Sequence, residues 1–270
     1  MLLDSEGRVG GLLINARRVD NLPFLERPCS GLELVQRLSL HLGNFGLSVQ
    51  RNTLRALRPL GEDHFLDLGE SQAICNALIL ATGTRPKPPG FAFSARLLGS
   101  QVFSELRPLL VALPAPRRVA VLGSGEAACD YALSLADAGV KVTLLVRGKQ
   151  VKARGALAAE ALGCSLVTPL FGVEVTGLTE GAQLAVSLLN AAGEASQVQV
   201  DALLVAIGRS SRAQELLGGG VSFAQDGPLS PAPGVFVVGD ARLGALGQVG
   251  IAIGDGLAAA SAAVGLLEGK

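Results

Sequence analysis

Gly123-x-Gly125-x-x-Ala128 stands between the apolar run Val119-Ala-Val-Leu122 and a helix-forming stretch, a spacing that lets main chain grip a diphosphate. Gly123 permits a tight turn, Gly125 lets the backbone come close to a pyrophosphate, and Ala128 is small enough for the helix to lie near its strand. The free N–H groups of the first helical turn, around Ser124, Glu126 and Ala127, together with the helix dipole, favour an anion there. The chemistry that follows is dinucleotide binding. The competing reading of the same residues is a plain strand–turn–helix.

The next strand, Val140 to Val146, completes a βαβ unit and ends in Arg147-Gly-Lys149, with Lys152 and Arg154 close behind. A site for the ribose 2′-OH of NAD would carry a carboxylate at that tip. Cations suit the additional phosphate of NADPH instead. A solvated basic turn is the alternative, since charges after a strand are common.

The elements that must position these residues follow from length and pattern. A chain of 270 residues is long enough for two nucleotide-binding lobes, each with its own core. Lys and Arg number 23 against 23 Asp and Glu, so charge points neither to nucleic acid nor to a polybasic membrane anchor. Val249 to Leu267 is apolar, but it contains Asp255 and many small residues and reads as a buried helix rather than a span. The N-terminus lacks the pattern of a secretory signal, and a cytoplasmic location is expected. The four cysteines, Cys29, Cys75, Cys129 and Cys164, form no Cys-x-x-Cys, and with two histidines, His41 and His64, no metal cluster is expected. Cys29 precedes the capping-box pattern Ser30-x-x-Glu33, which would place a thiol near a helix N-terminus; a core role for it is the plainer reading.

Along the chain, short strands and helices alternate as an α/β protein requires. A strand remnant lies at Met1 to Leu3. An amphipathic helix over Gly31 to Leu42 carries Leu34, Val35, Leu38 and Leu42 on one face. Short strands are expected near Leu47 to Val49, Leu54 to Leu57, Phe65 to Leu68 and Ala77 to Leu80. Pro86, Pro88, Pro89 and Gly90 mark a boundary. Further strands follow at Ser165 to Val167, within Val173 to Leu188, and at Leu203 to Gly208, then the buried strand Val235-Phe-Val-Val-Gly-Asp240 and a long helix from about Val249. Leu78-Ile-Leu-Ala-Thr-Gly83 and Leu203-Leu-Val-Ala-Ile-Gly208 echo each other, which points to two related lobes, one inserted in the other.

Taken in order, Gly10-Gly11-Leu12, Val19-Asp-Asn21-Leu-Pro23, Ala81-Thr-Gly83, Gly123-Ser-Gly125, Ala206-Ile-Gly208-Arg209, Gly239-Asp240 and Gln248-Val249 make the chain resemble the thioredoxin-reductase-like branch of the pyridine nucleotide-disulfide oxidoreductases. The resemblance covers nearly the whole length. It implies a discontinuous FAD-binding domain at 1–88 and 209–270, with an NAD(P)H-binding domain at 89–208 inserted, both Rossmann-like with three ββα layers. It further implies that Gly10, Gly11, Leu12, Asn15 and Asn21 lie along the flavin side of FAD and that Gly83 belongs to the same lobe. Asp240, after Gly239, would hold the ribityl chain, and the backbone at Gln248 and Val249 would face the pyrimidine edge. For Asp240 a turn or helix-start carboxylate is the bland alternative.

Independently of that resemblance, a helix N-terminus aimed at a reduced flavin stabilises the negative charge near N1 and the C2 oxygen. Hydride transfer then depends on positioning, and no catalytic side chain is assigned. Two departures from the family stand out. The region from about Gly99 to Leu113 holds no Cys-x-x-Cys, so electrons are expected to leave the flavin for an acceptor other than such a disulfide. In addition, Leu2-Leu3-Asp4 matches the family's second strand, with Asp4 as the acid for the adenosine ribose, so that the first βα unit and its glycine turn have no counterpart before it. Weak or absent FAD binding is the expectation, and a homodimer or partner chain is implied by the family alone. A flavin oxidoreductase is the first reading; a non-catalytic NADPH-binding or subunit protein that has lost FAD binding is the second.

Overall fold

The computed structural model describes residues 1–23, 25–217, 230–244 and 247–269. These residues form two compact units. One comprises Met1–Ile14, Val19–Arg85 and Arg209–Lys270; the other comprises Asn15–Arg18 and Pro86–Gly208.

The first unit opens with β1 (Leu3–Asp4), followed by helix α1 (Gly31–Asn44). The helix begins where the sequence says it should: Ser30 accepts the Glu33 N–H while the Glu33 carboxylate accepts the Ser30 N–H, a complete capping box. Those bonds hold the Glu33 carboxyl below its ordinary range. Strand β2 (Gln50–Arg51) pairs in parallel with β1. Strands β3 (Ala56–Leu60), β4 (Asp63–Asp67) and β5 (Gln72–Cys75) make an antiparallel meander, and β6 (Leu78–Leu80) and β7 (Thr84–Pro86) follow.

The second unit then runs through β8 (Val102–Phe103), α2 (Leu106–Ala112), β9 (Arg118–Leu122), α3 (Glu126–Asp137), β10 (Lys141–Val146), α4 (Gly155–Gly163) and β11 (Val167–Phe171). An antiparallel meander of β12 (Val173–Thr179), β13 (Leu184–Asn190) and β14 (Ala195–Val200) precedes β15 (Ala202–Val205). The central sheet has the order β11-β10-β9-β15-β8 and is parallel throughout. Its strands are apolar runs because both faces are covered. On one face Val119, Val121, Leu144 and Leu204 pack against Leu109 of α2 and Ala132 and Leu135 of α3. On the other, Ala120, Leu145 and Leu203 pack against Leu184, Val186 and Leu188 of the meander. This is the three-layer ββα arrangement expected from the sequence. Strands β5, β7, β8 and β14 are additions to the strands expected from the sequence, and the strand expected at Leu47 to Val49 lies instead at Gln50–Arg51; β5 and β14 are polar enough on one side to read as loop.

The chain returns to the first unit with β16 (Arg209–Ser211), which pairs with β7, then α5 (Ala213–Leu216), β17 (Val235–Val237), α6 (Asp240–Leu243) and α7 (Val249–Glu268). Strand β17 pairs in parallel with β6. The expectation that the segment from Val249 is a buried helix is half right. The helix forms, but only Asp255 and Ala259 are buried in it, while Ile251, Ile253, Leu257, Val264 and Leu267 are exposed. The contact face consists of small residues, Ala259 and Ala263 seated on Phe236 and Val238, and the large apolar side chains fall elsewhere around the cylinder. By length and composition α7 is also the one helix among the described residues that could cross a membrane.

Leu144 is fully buried at the centre of the helix-covered face. Leu144→Ala is expected to cost about 2–5 kcal/mol of stability, read as a lower urea midpoint with an unchanged m-value. A loss below about 1 kcal/mol would show that this core collapses around the void.

Candidate functional site

In the second unit, the C-terminal tips of β9, β10 and β15 come together at one edge of the parallel sheet, where open α/β sheets bind ligands. The chain leaves β9 at Gly123, whose φ of 152° favours glycine. A Cβ there would overlap the Ala206 carbonyl oxygen after β15 and stand 3.1 Å from the Ala128 Cβ. The turn is held on both sides: Gly123 N–H donates to the Leu145 carbonyl at 3.1 Å, and Ala206 N–H donates to the Leu122 carbonyl at 2.7 Å. Gly125 is the N-cap of α3, no side chain caps the first turn, and a Cβ on Gly125 would meet nothing within 4 Å. Glu126 and Ala127 are exposed. An uncapped helix start with bare backbone in front of it is an anion site in form.

The basic loop is tied to that same turn. The Ser124 carbonyl accepts N–H bonds from Lys152 at 2.6 Å and Ala153 at 2.9 Å. Arg147, Lys149, Lys152 and Arg154 are exposed and carry no ion pair among the described residues. Cations with no carboxylate to neutralise them, beside a diphosphate-shaped turn, suit a further phosphate. The residues present therefore fit NADPH, with Gly123, Ser124, Gly125, Glu126 and Ala127 supplying backbone and Arg147, Lys149 and Lys152 supplying charge.

The other predicted positions, Asn15 apart, are distributed over the first unit. Asp4 ends β1 and closes its own turn, accepting N–H bonds from Glu6 at 2.8 Å and Arg8 at 3.3 Å. Gly10 has φ 109°, and a Cβ on it would overlap Val35 of α1, so the main chain passes close against that helix. Gly11 and Leu12 lie in one turn of 3₁₀ helix, Gly11–Asn15. Asn15 groups with the second unit. It is buried, with Oδ1 accepting the Arg107 N–H at 3.0 Å and Nδ2 donating to Glu105 at 3.4 Å, so its amide is committed to protein partners. Asn21 Nδ2 donates to Gln248 Oε1 at 2.6 Å. Gln248 is the N-cap of α7 and makes no side-chain cap bond, so the first turn beginning at Val249 is open. Cys29 is buried and its backbone bridges Val19, which leaves no exposed thiol there.

At the β6–β7 turn, Gly83 has φ 61° and its carbonyl accepts the Arg212 N–H at 3.2 Å. Next to it, Thr82 Oγ1 is the one buried side-chain polar atom without a hydrogen-bond partner among the described residues. A buried hydroxyl left unpaired costs about 1–3 kcal/mol, which a ligand acceptor or donor would relieve. After β17, Gly239 turns the chain with φ 61° and ψ −143° into Asp240. The Asp240 carboxylate lies so close over Gly247 that a Cβ at Gly247 would overlap it. Burial pushes the Asp240 carboxyl above its ordinary range, against the pull of Arg209. Arg209 itself is fixed by Thr84, donating from Nε to Oγ1 and from Nη2 to the carbonyl, both at 2.9 Å.

These features fit the flavin end of FAD: a desolvated acid at Asp240, an orphaned hydroxyl at Thr82, and the open start of α7 with Gln248 steadied by Asn21. The diphosphate end is different. Among the described residues of the first unit, β17 runs through the Gly239 turn into α6, which has only four residues, and the long uncapped helix of that unit, α7, starts after Gln248 rather than directly behind a parallel strand. Sequence reasoning missed Gly247, Thr82 and the Arg242–Asp255 pair; the one available signal was Asp255 itself, a lone charge in a run of Ala, Gly, Ile and Leu.

The raised Asp240 carboxyl makes a pH-dependent prediction. The folded chain holds this proton more tightly than the unfolded chain, whose carboxyl titrates near the ordinary value of about 3.9. Stability is therefore lost as pH rises through the raised value, and the loss persists at neutral pH. Asp240→Asn is expected to be more stable than the parent chain at neutral pH, with the gain vanishing below about pH 4. Urea unfolding at both pH values measures this, and a gain equal at both would exclude charge burial as its cause.

The Pyridine nucleotide-disulphide oxidoreductase family matches residues 47–264. The thioredoxin reductase of Treponema pallidum is 24% identical over 99% of this chain and 89% of its own length. That of Bacillus subtilis is 27% identical over 96% and 84%. Among solved structures, Lactococcus lactis thioredoxin reductase in its FR conformation shares the fold with a TM-score of 0.86 at 21% identity, covering 100% of this chain and 91% of that one. The thioredoxin reductase of T. acidophilum gives a TM-score of 0.82 at 20% identity, covering 97% of this chain and 88% of that one. With a parallel sheet that presents Gly123 and Gly125 at its edge and a family match over residues 47–264, the chain belongs to the pyridine nucleotide-disulphide oxidoreductase family, and its fold is like that of the thioredoxin reductases.

Proposed function

We propose that this chain is a flavin-dependent oxidoreductase that takes reducing equivalents from NADPH and delivers them to an acceptor other than a Cys-x-x-Cys disulfide. The observation that carries the reading is the uncapped start of α3 behind Gly123 and Gly125, with the cationic loop bonded to it through Ser124. Bound FAD would supply the group that accepts hydride from a nicotinamide and releases electrons onward. The chain's own part is to bind and orient. Arg147, Lys149 and Lys152 take the adenosine-side phosphate, and the first turn of α3 takes the diphosphate. The open N-terminus of α7 stabilises negative charge on a reduced ring, and Asp240 takes a hydroxyl of the linking chain.

The acceptor side rests on the segment from Gly99 to Leu113. It holds no cysteine, and Phe103, Leu106 and Leu109 are committed to the core of the second unit. A disulfide relay has no place in such a segment, so the acceptor must approach from outside. A cytoplasmic setting, a small-molecule or protein acceptor rather than nucleic acid or membrane, and a homodimer or partner chain complete the proposal.

A second reading is favoured by one specific observation. Among the described residues of the first unit, the parallel pairs β1–β2 and β6–β17 are separate from each other, while the second unit has a continuous five-stranded sheet. A chain with a complete NADPH site and a divided flavin lobe would bind NADPH without turnover and act as a subunit.

Absorption spectra of the purified chain with added FAD, then anaerobic NADPH, separate the two. A weak flavin band, formed only with excess FAD and bleached by NADPH, is the expected result, and NADPH binding with no flavin uptake selects the subunit reading. Replacing Arg147 and Lys149 by Ala together is expected to weaken NADPH binding about ten-fold or more while leaving NADH nearly unchanged. Equal losses for both nucleotides in a fluorescence titration would remove these two cations from the phosphate site.

A further inference from the structure

Asp255 is a charge in the wrong company. It sits on α7 between Gly254 and Gly256, in a helix otherwise built from small and apolar residues, yet only 8% of it is exposed. Burying a carboxylate is expensive unless a cation and hydrogen bonds meet it, and here they do. Oδ2 accepts the Gly239 N–H at 3.0 Å and Arg242 Nε at 3.1 Å, and Oδ1 accepts Arg242 Nη2 at 2.7 Å. The Arg242 and Asp255 side chains are 12% and 10% exposed. The fork geometry fixes the guanidinium in one plane.

What this pair holds is the backbone directly before Asp240. Gly239 adopts φ 61° and ψ −143°, a region nearly closed to other residues. A Cβ on it would stand 3.2 Å from the Ala252 Cβ on α7. The turn is thus pressed against α7 by close packing and bonded to it by Asp255, while Arg242, two residues past Asp240, is drawn to the same carboxylate. Asp240 is gripped on either side in sequence. One buried acid therefore ties the position of a second, functional acid to the helix whose first turn is the other half of the flavin end.

We infer that Asp255 is a positioning residue, which through the Gly239 N–H and the Arg242 guanidinium sets where the Asp240 carboxylate stands relative to the open first turn of α7. The inference deepens the flavin reading above and rests on it. Asp255 itself touches no ligand; both of its oxygens are occupied by protein donors.

The test uses the whole 270-residue chain and three variants, the third being the conservative Asp255→Glu. Asp255→Asn retains the shape but cannot pair with Arg242. Because that leaves a buried cation unmatched and can unfold the chain, the second variant removes both charges, Asp255→Leu with Arg242→Leu. Three readouts apply. Amide hydrogen exchange over residues 239–242 is expected to be at least about ten-fold faster in any folded variant, as a tied turn becomes an open one. The Asp240 carboxyl, followed by NMR without any cofactor, is expected to move down toward the ordinary carboxylate range as it gains solvent. FAD affinity is expected to fall by at least about ten-fold, with NADPH affinity unchanged and Asp255→Glu recovering part of the loss. Parent-like exchange and parent-like Asp240 titration in the double variant would overturn the inference, leaving the pair as packing alone. A parent chain that takes up no FAD would instead sink the flavin reading, while the first two readouts still decide whether Asp255 holds the turn.

Discussion

Backbone pressed against backbone, with no room for a side chain, is the constraint on which the nucleotide-binding unit depends. At the tips of β9 and β15, a Cβ on Gly123 would overlap the Ala206 carbonyl, so the two strands can reach their full pairing only because residue 123 has none. That pairing lets Ala206 N–H bond the Leu122 carbonyl and lets α3 begin immediately after the strand, with its first N–H groups unfilled. The electrostatic character of the site is a consequence of packing. Every strand buried behind it, from Val119 to Leu204, serves to hold a helix start at the sheet edge. The basic loop after β10 is then drawn in through the Ser124 carbonyl rather than through its charges, which leaves those charges available.

The parts of this arrangement that could be read from the sequence are those whose cause is local. The capping box at Ser30 and Glu33, the apolar runs of β9, β10 and β15, and the glycine spacing at Gly123 each encode their structure within a few residues, and each appears as read. The parts that were not legible depend on partners far away along the chain. Asn15 reads as a ligand-side residue of the first lobe, yet its amide is spent on Glu105 and on the Arg107 backbone, some ninety positions on. The burial of α7 was misjudged because apolar composition says how much a helix could bury, not how much surface is offered to it. Only its small-residue face finds Phe236 and Val238.

Gly239 shows why glycines in the two units have different meanings. Gly123 is excluded from carrying a side chain by a carbonyl, which is a matter of space. Gly239 is chosen for its torsion angles and is then locked by a bond from outside its own segment, the Asp255 carboxylate. The first kind of turn is self-sufficient and survives wherever the strands pair. The second kind is only as firm as the ion pair that holds it.

That difference bears on how a divided lobe can still carry a site. Among the described residues of the first unit, β1–β2 and β6–β17 are separate pairs, so there sheet pairing does not carry order from β1 to β17 as it does from β11 to β8 in the second unit. Order around Asp240 must come from elsewhere. It comes from α7, which fixes the Gly239 turn through Ala252 and Asp255, and from Arg209, which Thr84 holds in place and whose charge opposes the loss of solvent around Asp240. A desolvated carboxylate is costly to fold around. Such a carboxylate, braced by a buried ion pair that repays its own desolvation only through good geometry, is the physical observation in the first unit that supports the proposed ligand end there.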